Sequence, residues 1–216
     1  MRYSTLFLAA ATVSLLPGVS LADDASPFQA GSVMLRARAI DVDPQVSSAV
    51  SVINGSVHAG NNLVPEVDGS YFFTPNVAAE LIAAVTYHTV KDVNSAAGTL
   101  PLGSVRLLPP TLTAQWHFLP EAKFNPYVGA GINYTFFYGV KGSTVPIIYS
   151  THYSDNVGGA LQAGFDYRLS GNWFLNVDAK KLFLHTDVTL GTKVGQVKAS
   201  VDLDPWIVGA GVGYKF

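Results

Sequence analysis

The chain has 216 residues, of which 49% are hydrophobic, only 13% are charged and none is cysteine. This apolar, charge-poor composition excludes an intrinsically disordered chain, and the lack of cysteine excludes disulfide scaffolds and thiolate metal sites. The formal net charge of −2 provides no basic field that could hold nucleic acid.

The N-terminal residues predict a signal peptide. An apolar core at residues 6–16 follows the single charge of Arg2, and Ser20 and Ala22 place small residues at the −3 and −1 positions of a cleavage site. The apolar core is shorter than the roughly 20 residues of a transmembrane helix. We therefore expect cleavage after Ala22, with residues 1–22 as the signal peptide and 23–216 as one exported domain.

The rest of the chain alternates with the period of two that is typical of β-strands, not with a helical period. Eight segments have one face of large apolar side chains and another of small or polar ones, in chain order 33–38, 66–73, 80–85, 111–118, 128–136, 161–168, 175–180 and 206–216. Bacterial outer-membrane barrels have an even number of strands and begin at eight.

The last segment shows the alternation most clearly. One face carries only apolar residues, Trp206, Val208, Ala210, Val212, Tyr214 and Phe216, and the other is mostly glycine, Gly209, Gly211 and Gly213. A soluble sheet places large residues inward and polar residues outward, whereas here the second face is nearly empty. This pattern predicts large side chains against lipid and small ones in a crowded barrel interior.

The connections alternate strictly in length. Short turns are predicted at 74–76, 119–124 and 170–172, and long polar or glycine-rich connections at 41–62, 90–107, 139–155 and 187–200. The sequence therefore predicts an all-β fold, an eight-stranded antiparallel transmembrane β-barrel with short periplasmic turns and four longer extracellular loops. A soluble lipocalin-like barrel is the alternative, but it would hide its large residues inside.

Several ordered stretches of the chain resemble the OmpW family of outer-membrane proteins. They are RARAIDVDP at 36–44, PEVD at 65–68, SYFFTPNVAAEL at 70–81, LPPTL at 108–112, PYVGAGINYT at 126–135, LDPW at 203–206 and GYKF at 213–216. The resemblance implies an outer-membrane barrel with a narrow hydrophobic channel for small apolar molecules. The chain departs from the family pattern in its long loops and at Lys181, Phe183 and His185.

The inward positions divide by height along the predicted strands. The low and middle positions are polar, and their charged members are four cations and five anions: Arg36, Arg38, Glu66, Asp68, Glu80, Asp166, Arg168, Asp178 and Lys180. Because side chains just fill an eight-stranded interior, we expect these charges to interlock as a plug and to prevent a wide ion pore.

The upper inward positions are apolar and predict a ligand-binding funnel above the plug. They are Ile40, Val64, Ile82, Phe137, Leu182, Leu184 and Ile207. A small hydrophobic solute would leave this funnel sideways into lipid. Pro65, Pro109 and Pro110 lie in the upper parts of descending strands, where missing N–H donors weaken strand pairing and could let the wall open.

The sequence contains no arrangement that indicates an enzyme, a metal site or a cofactor, since its histidines lack matched ligands and nucleophile partners. One alternative to a hydrophobic channel is a sealed structural or receptor barrel that acts through its loops, and another is a lipid-modifying barrel enzyme, which would need an acid–base–nucleophile cluster that the sequence lacks. The expected partners are outer-membrane lipid, a small hydrophobic solute and the barrel-assembly machinery. The last would read a C-terminal strand that ends in Tyr214 and Phe216.

Overall fold

The computed structural model describes residues 27–45, 47–50, 56–59, 62–95, 98–146, 148–193 and 195–216. The predicted signal peptide, residues 1–22, lies outside the described residues. Within them, no helix has the length and apolar character needed to cross a membrane.

The described residues form fifteen strands. They are β1 (Val33–Asp43), β2 (Ser47–Val50), β3 (Ser56–Ala59), β4 (Asn62–Phe72), β5 (Val77–Ala84), β6 (Thr86–Ser95), β7 (Gly98–Leu108), β8 (Thr111–His117), β9 (Phe124–Lys141), β10 (Ile148–Tyr153), β11 (Asn156–Ser170), β12 (Trp173–Phe183), β13 (His185–Thr192), β14 (Gly195–Asp202) and β15 (Trp206–Lys215).

Eight of these strands close into an antiparallel barrel in the order β1–β4–β5–β8–β9–β11–β12–β15, with β15 paired back to β1. The closing register aligns Met34 with Lys215 and Asp43 with Trp206. The predicted fold class is therefore confirmed. At the height where all eight strands pair, closure leaves no unpaired sheet edge, which a membrane requires.

The short turns are where the sequence predicts them. Strand β4 ends at Phe72 and β5 begins at Val77, β8 ends at His117 and β9 begins at Phe124, and β11 ends at Ser170 and β12 begins at Trp173. Gly171 has a φ of 53°, in the left-handed region that a two-residue hairpin turn needs.

The long connections differ from the prediction, because much of them is strand. Strands β6 and β7 form a hairpin that covers the described part of 90–107, β9 continues to Lys141, and β13 and β14 form a hairpin that covers the described part of 187–200. These strands extend the wall beyond the barrel as two groups, β3–β6–β7–β9 and β10–β13–β14–β2. A strand outside the lipid needs no apolar outer face, so its alternation is weak in the sequence.

The glycine-rich face of β15 points inward, as predicted, and the neighbouring strand explains it. A Cβ added to Gly209 would lie 2.5 Å from Cγ2 of Ile40, and one added to Gly213 would lie 3.1 Å from Cγ of Arg36. The side chains of β1 therefore fill the space beside β15, and the outward residues Trp206, Val208 and Val212 remain exposed on the lipid side.

Candidate functional site

The lumen is organised in layers, and the inward face of β1 passes through all of them. From the periplasmic end it presents Met34, Arg36, Arg38, Ile40 and Val42, each of which is buried, while the intervening residues are exposed. The order is one apolar, two charged and two apolar side chains. The candidate functional site is the sequence of layers that these residues mark.

An aromatic layer closes the periplasmic end. The Phe28 ring lies 4.8 Å from the Phe72 ring and 5.2 Å from the Phe174 ring, measured between centroids, and it is fully buried. Backbone bonds from Gly31 N to Phe72 O and from Phe72 N to Ser32 O, at 2.8 and 2.9 Å, hold this segment in place.

This aromatic layer is absent from the sequence-based interpretation. Phe28 precedes the first alternating segment, so no periodicity marks it as inward. The available signal is that it is the only aromatic residue between the predicted cleavage site and β1. Its ring also lies 5.6 Å from His117, and together with the nearer rings of Phe72 and Tyr127 it buries that inward histidine.

Above the aromatic layer, Arg36 links four carboxylate and hydroxyl groups on three other strands. Its Nη1 lies 2.9 Å from Asp68 Oδ1 and 3.2 Å from Glu80 Oε1, and its Nη2 lies 2.9 Å from Asp166 Oδ2. Nη1 also donates to Ser70 Oγ at 2.7 Å. All four charged side chains have zero exposure to solvent.

Arg38 forms the second level of the charge network. Its Nε lies 2.9 Å from Glu66 Oε1, and its Nη2 lies 2.6 Å from Asp68 Oδ2 and 3.1 Å from Glu80 Oε1. Lys180 on β12 completes this level, because its Nζ lies 2.6 Å from Glu66 Oε1 and 2.8 Å from Asp178 Oδ1.

Neutral polar side chains satisfy the remaining carboxylate oxygens. Gln115 and Gln162 donate to Glu80 Oε2 at 2.8 and 2.7 Å. The Tyr127 hydroxyl donates to Asp178 Oδ2 at 3.0 Å. The network is therefore a crosslinked layer with partners on six strands, β1, β4, β5, β8, β11 and β12, and on β9 through Tyr127.

Arg168 does not join this network, so its place in the predicted plug is wrong. Its Nε donates to the Gly171 carbonyl at 3.2 Å, at the turn between β11 and β12. Alternation places Arg168 inward correctly, but two residues below Asp166 the strand has reached the periplasmic rim. The other eight predicted charges are three cations and five anions, and they lie together.

The charge network determines which passage the lumen allows. Its charged side chains are between 0% and 2% exposed. Water does not reach them, so no water-filled path runs through this layer of the barrel. A charged solute would have to break several ion pairs that have no water to replace them.

An apolar layer lies directly above the network, and the structure brings five of the seven predicted funnel residues together there. Ile40, Leu182, Leu184 and Ile207 form one buried cluster with Val64 packed against it. The same cluster contains Val42, Ala84 and Ala160, which sequence reasoning missed because two of them are small and Val42 lies in a predicted loop.

The other two predicted residues, Ile82 and Phe137, lie elsewhere. Ile82 is buried but stands opposite Asp68 on β4 and Thr111 on β8, beside the top of the charge network. Phe137 packs on a second apolar cluster nearer the extracellular end. Leu203 packs against both apolar clusters and joins them.

The second apolar cluster is built from strands that the sequence does not predict. Its buried members are Val105, Leu107, Tyr153, Val188, Leu190 and Val201. They come from β7, β10, β13 and β14, so they lie between the two strand groups that extend the barrel. The apolar interior is therefore taller than the sequence indicates, from the charge network to the extracellular mouth.

The cluster that contains Ile40 and Leu182 is the lower of the two and is called the lower apolar cluster. The barrel wall is discontinuous beside it. The β4–β5 ladder ends at Glu66 and Ala84, and the described pairings give no ladder between residues 62–65 of β4 and strand β6. One side-chain bond spans this place, from Asn62 Nδ2 to Tyr87 O at 2.5 Å. Pro65 lies within this stretch and has no N–H to donate.

Pro109 and Pro110 occupy a second interruption, between β7 and β8. The Tyr134 N–H of β9 donates to the Pro110 carbonyl at 3.1 Å, and the Asn133 amide donates to both proline carbonyls at 3.1 and 3.3 Å, so a backbone bond and a side chain together bridge this interruption. The three prolines that the sequence singles out therefore stand at breaks in the wall, and the break at Pro65 is the less bridged of the two.

Comparison with known proteins agrees with this architecture. The sequence profile of the OmpW family matches residues 29–216. An uncharacterized outer-membrane protein, y4mB, of Sinorhizobium fredii is 42% identical over 88% of this chain and 80% of its own length. Outer membrane protein W of Escherichia coli is 33% identical over 96% of this chain and 97% of its own. The crystal structure of the outer membrane protein OprG from Pseudomonas aeruginosa superposes with a TM-score of 0.80 at 27% identity, covering 88% of this chain and 97% of OprG.

Proposed function

Because the chain belongs to the OmpW family and is an outer-membrane β-barrel, we propose that it forms a narrow hydrophobic passage for small apolar molecules. The passage involves no catalysis. The observation that carries the proposal is the apolar interior, which is continuous through Leu203 from the extracellular mouth to the charge network. An ion or sugar pore would need many polar groups in this region, whereas the described buried residues there are mostly hydrocarbon, with a few small hydroxyl side chains such as Ser104 and Thr186.

Burial supplies the affinity in this proposal. Each methylene of a solute that leaves water contributes about 0.8 kcal/mol, so a short alkyl chain reaches micromolar affinity without a charged contact. Ile40 and Leu182 are 1% and 2% exposed, so the apolar side chains fill the passage when no solute is bound. A solute enters by parting these side chains, and aliphatic side chains can change rotamer to admit it.

We further propose that the solute leaves sideways, between β4 and β6. The charge network blocks the axial route, and the gap beside Pro65 opens from the lower apolar cluster. Leu63 on the outer side of this gap is 74% exposed, and Val64 on the inner side packs on the lower apolar cluster. An apolar solute thus exchanges one hydrocarbon environment for another without crossing the charged layer.

The passage is tested with Leu182→Asp and its volume-matched control Leu182→Met, expressed in cells that lack the native protein. Uptake of a labelled hydrophobic solute should fall to the level of cells without the protein for Leu182→Asp and should persist for Leu182→Met. Heat-modifiable migration on gels confirms equal amounts of folded barrel. Uptake by the wild type that equals uptake by cells without the protein would favour the sealed barrel that acts through its loops.

The lateral exit has its own test, because the chain contains no cysteine. A cleavable bifunctional thiol reagent can join Leu63→Cys and Tyr87→Cys across the gap. Crosslinking should block uptake, cleavage of the reagent should restore it, and each single variant should be unaffected. Unchanged uptake by the crosslinked protein would argue against exit at this place.

The chain termini have proposed roles in reaching the membrane. We propose that residues 1–22 are a signal peptide removed on export, and that the C-terminal strand through Tyr214 and Phe216 is read by the barrel-assembly machinery. The apolar outward face of β15 and the terminal aromatic residue support the second proposal. The Phe216 N–H donates to Val33 O at 2.8 Å, so the last residue also takes part in barrel closure.

A further inference from the structure

The extracellular mouth has a seam at which two strand groups meet without a shared ladder. Above Thr135, β9 leaves β11 and pairs with β7, while β10 pairs with β13, and the described pairings give none between β9 and β10. At this point the Phe137 N–H donates to the side chain of Asp155, Oδ1 at 2.9 Å. A side chain thus takes the place of a strand carbonyl, and separating the two strand groups at the seam would break no described β-ladder.

Two aromatic rings meet across this seam in a nearly parallel arrangement. The centroids of Phe137 and Tyr153 are 5.6 Å apart and their planes differ by 8°. Among the described ring pairs, the next most parallel is Phe28 with Phe72 at 27°. Parallel, offset rings present flat faces to each other, which is the arrangement that a third flat ring can join.

Hydrocarbon side chains pack around the ring pair, and the Asp155 carboxylate binds the Phe137 backbone at its edge. Phe137 and Tyr153 pack with Val105, Leu107 and Val188 in the second apolar cluster, which is called the upper apolar cluster. Burial raises the pKa of Tyr153 to about 12, so its hydroxyl is neutral at physiological pH. The neutral Tyr153 hydroxyl forms no ion pair, so a solute that inserts between the two rings breaks no ionic contact of Tyr153.

We propose that Phe137 and Tyr153 form a selective site for planar aromatic solutes, which insert between the two rings at the seam. The inference rests on the proposed hydrophobic passage and deepens it by naming the class of solute that the mouth selects. A saturated molecule gains only burial at this site. A flat aromatic molecule gains burial and also a stacking contact with each ring, and it replaces one ring–ring contact by two.

Naphthalene and decalin separate these contributions, because they share a ten-carbon bicyclic skeleton and differ in planarity and aromaticity. Their uptake is measured in cells that express the wild type, Phe137→Leu, Tyr153→Leu or Tyr153→Phe. Naphthalene binding to the purified, folded proteins is followed by its fluorescence. The two leucine variants keep an apolar side chain, and Tyr153→Phe keeps the ring without the hydroxyl.

We expect Phe137→Leu and Tyr153→Leu to lower the uptake ratio of naphthalene to decalin roughly two- to tenfold, as the loss of one stacking contact predicts. Tyr153→Phe should keep the wild-type ratio, and naphthalene binding should weaken in parallel with uptake. Uptake of both solutes with an unchanged ratio in Phe137→Leu would overturn this inference alone. If the wild type takes up neither solute, the proposed passage fails, and the aromatic site with it.

Discussion

Arg36 and Asp166 meet face to face across the barrel lumen. Arg36 Nε lies 3.1 Å from Asp166 Oδ1, and Nη2 lies 2.9 Å from Oδ2, so the guanidinium and the carboxylate form two parallel bonds. Strands β15 and β12 separate β1 from β11 in the wall. The bidentate ion pair therefore links two strands that are not neighbours in the wall, and the planar guanidinium of arginine suits this role better than the single ammonium of lysine.

Loss of the Arg36–Asp166 ion pair should destabilise the barrel strongly. Arg36→Met leaves Asp68, Glu80 and Asp166 short of a cation in a dry layer, and we expect a cost of about 3–5 kcal/mol. Unfolding in urea, followed by heat-modifiable migration in lipid vesicles, measures it. Arg168→Met is the matched control and should lie within about 0.5 kcal/mol of the wild type, because Arg168 is outside the network. Equal effects of the two variants would contradict the assignment.

How well the sequence predicts the lumen differs between the part of the barrel inside the membrane and the part above it, because the sequence pattern differs between them. Within the membrane, lipid demands a fully apolar outer face, so alternation identifies the inward residues and puts Arg36 and Lys180 in one interior. Alternation does not report height, which is why Arg168 is correctly predicted to point inward but is wrongly included in the charge network.

Above the membrane, no lipid requires an apolar outer face, so the alternation of apolar and polar residues that identifies inward positions is lost. Strands β6, β7, β13 and β14 do not need an apolar outer face, and outward residues such as Arg106 and Asp187 are charged, so these strands are predicted as loops. Val105 and Leu190 of the upper apolar cluster are missed for this reason. Phe28 is missed for another, because a single side chain that folds back into the barrel leaves no periodic pattern.

The aromatic layer should contribute substantially to stability. Phe28→Ala removes a fully buried ring that contacts Phe72 and Phe174, and we expect a cost of about 3–5 kcal/mol. Phe118→Ala removes a ring that is 52% exposed at the lipid side, and it should cost clearly less. The comparison uses the same unfolding assay. A Phe28→Ala barrel as stable as the wild type would show that the N-terminal segment does not seal the periplasmic end.

Charge on the lipid face should be costly near the middle of the membrane. Val128 and Ala130 are exposed on the outer face of β9, and an arginine at either position should cost about 2–4 kcal/mol. Thr144→Arg, between β9 and β10, is the control and should have little effect. Folded yield and urea midpoints in vesicles distinguish them, and a tolerated Ala130→Arg would mean that the two faces of β9 have been exchanged.

The terminal residue should matter for assembly more than for the folded state. Phe216 is 66% exposed and its ring lies 4.9 Å from the Tyr214 ring, so Phe216→Ser removes about 2 kcal/mol of apolar contact. Deletion of Phe216 should lower the yield of folded barrel in the outer-membrane fraction by more than that loss explains. Refolding of the purified deletion variant in vesicles is the control. Wild-type yield in cells would rule out a role of Phe216 as an assembly signal.

A histidine on the extracellular hairpin should make the β13–β14 pairing depend on pH. His185 Nδ1 lies 2.7 Å from Asp202 Oδ1, and its Nε2 lies 3.0 Å from Ser200 Oγ and 3.6 Å from Asp187 Oδ1. The hydrogen bond to Asp202 is the main cause that raises the pKa of His185 above its usual 6.5. A raised pKa in the folded state means that protonated His185 stabilises the hairpin fully below about pH 6.5 and that this contribution is lost as the pH rises through the raised value.

NMR titration of labelled histidine should give a pKa above 6.5 for the wild type and a lower one for Asp202→Asn. Amide exchange at Thr186 and Val188 should quicken between pH 6 and 8 beyond its intrinsic pH dependence, and a titration that Asp202→Asn leaves unchanged would remove this interpretation.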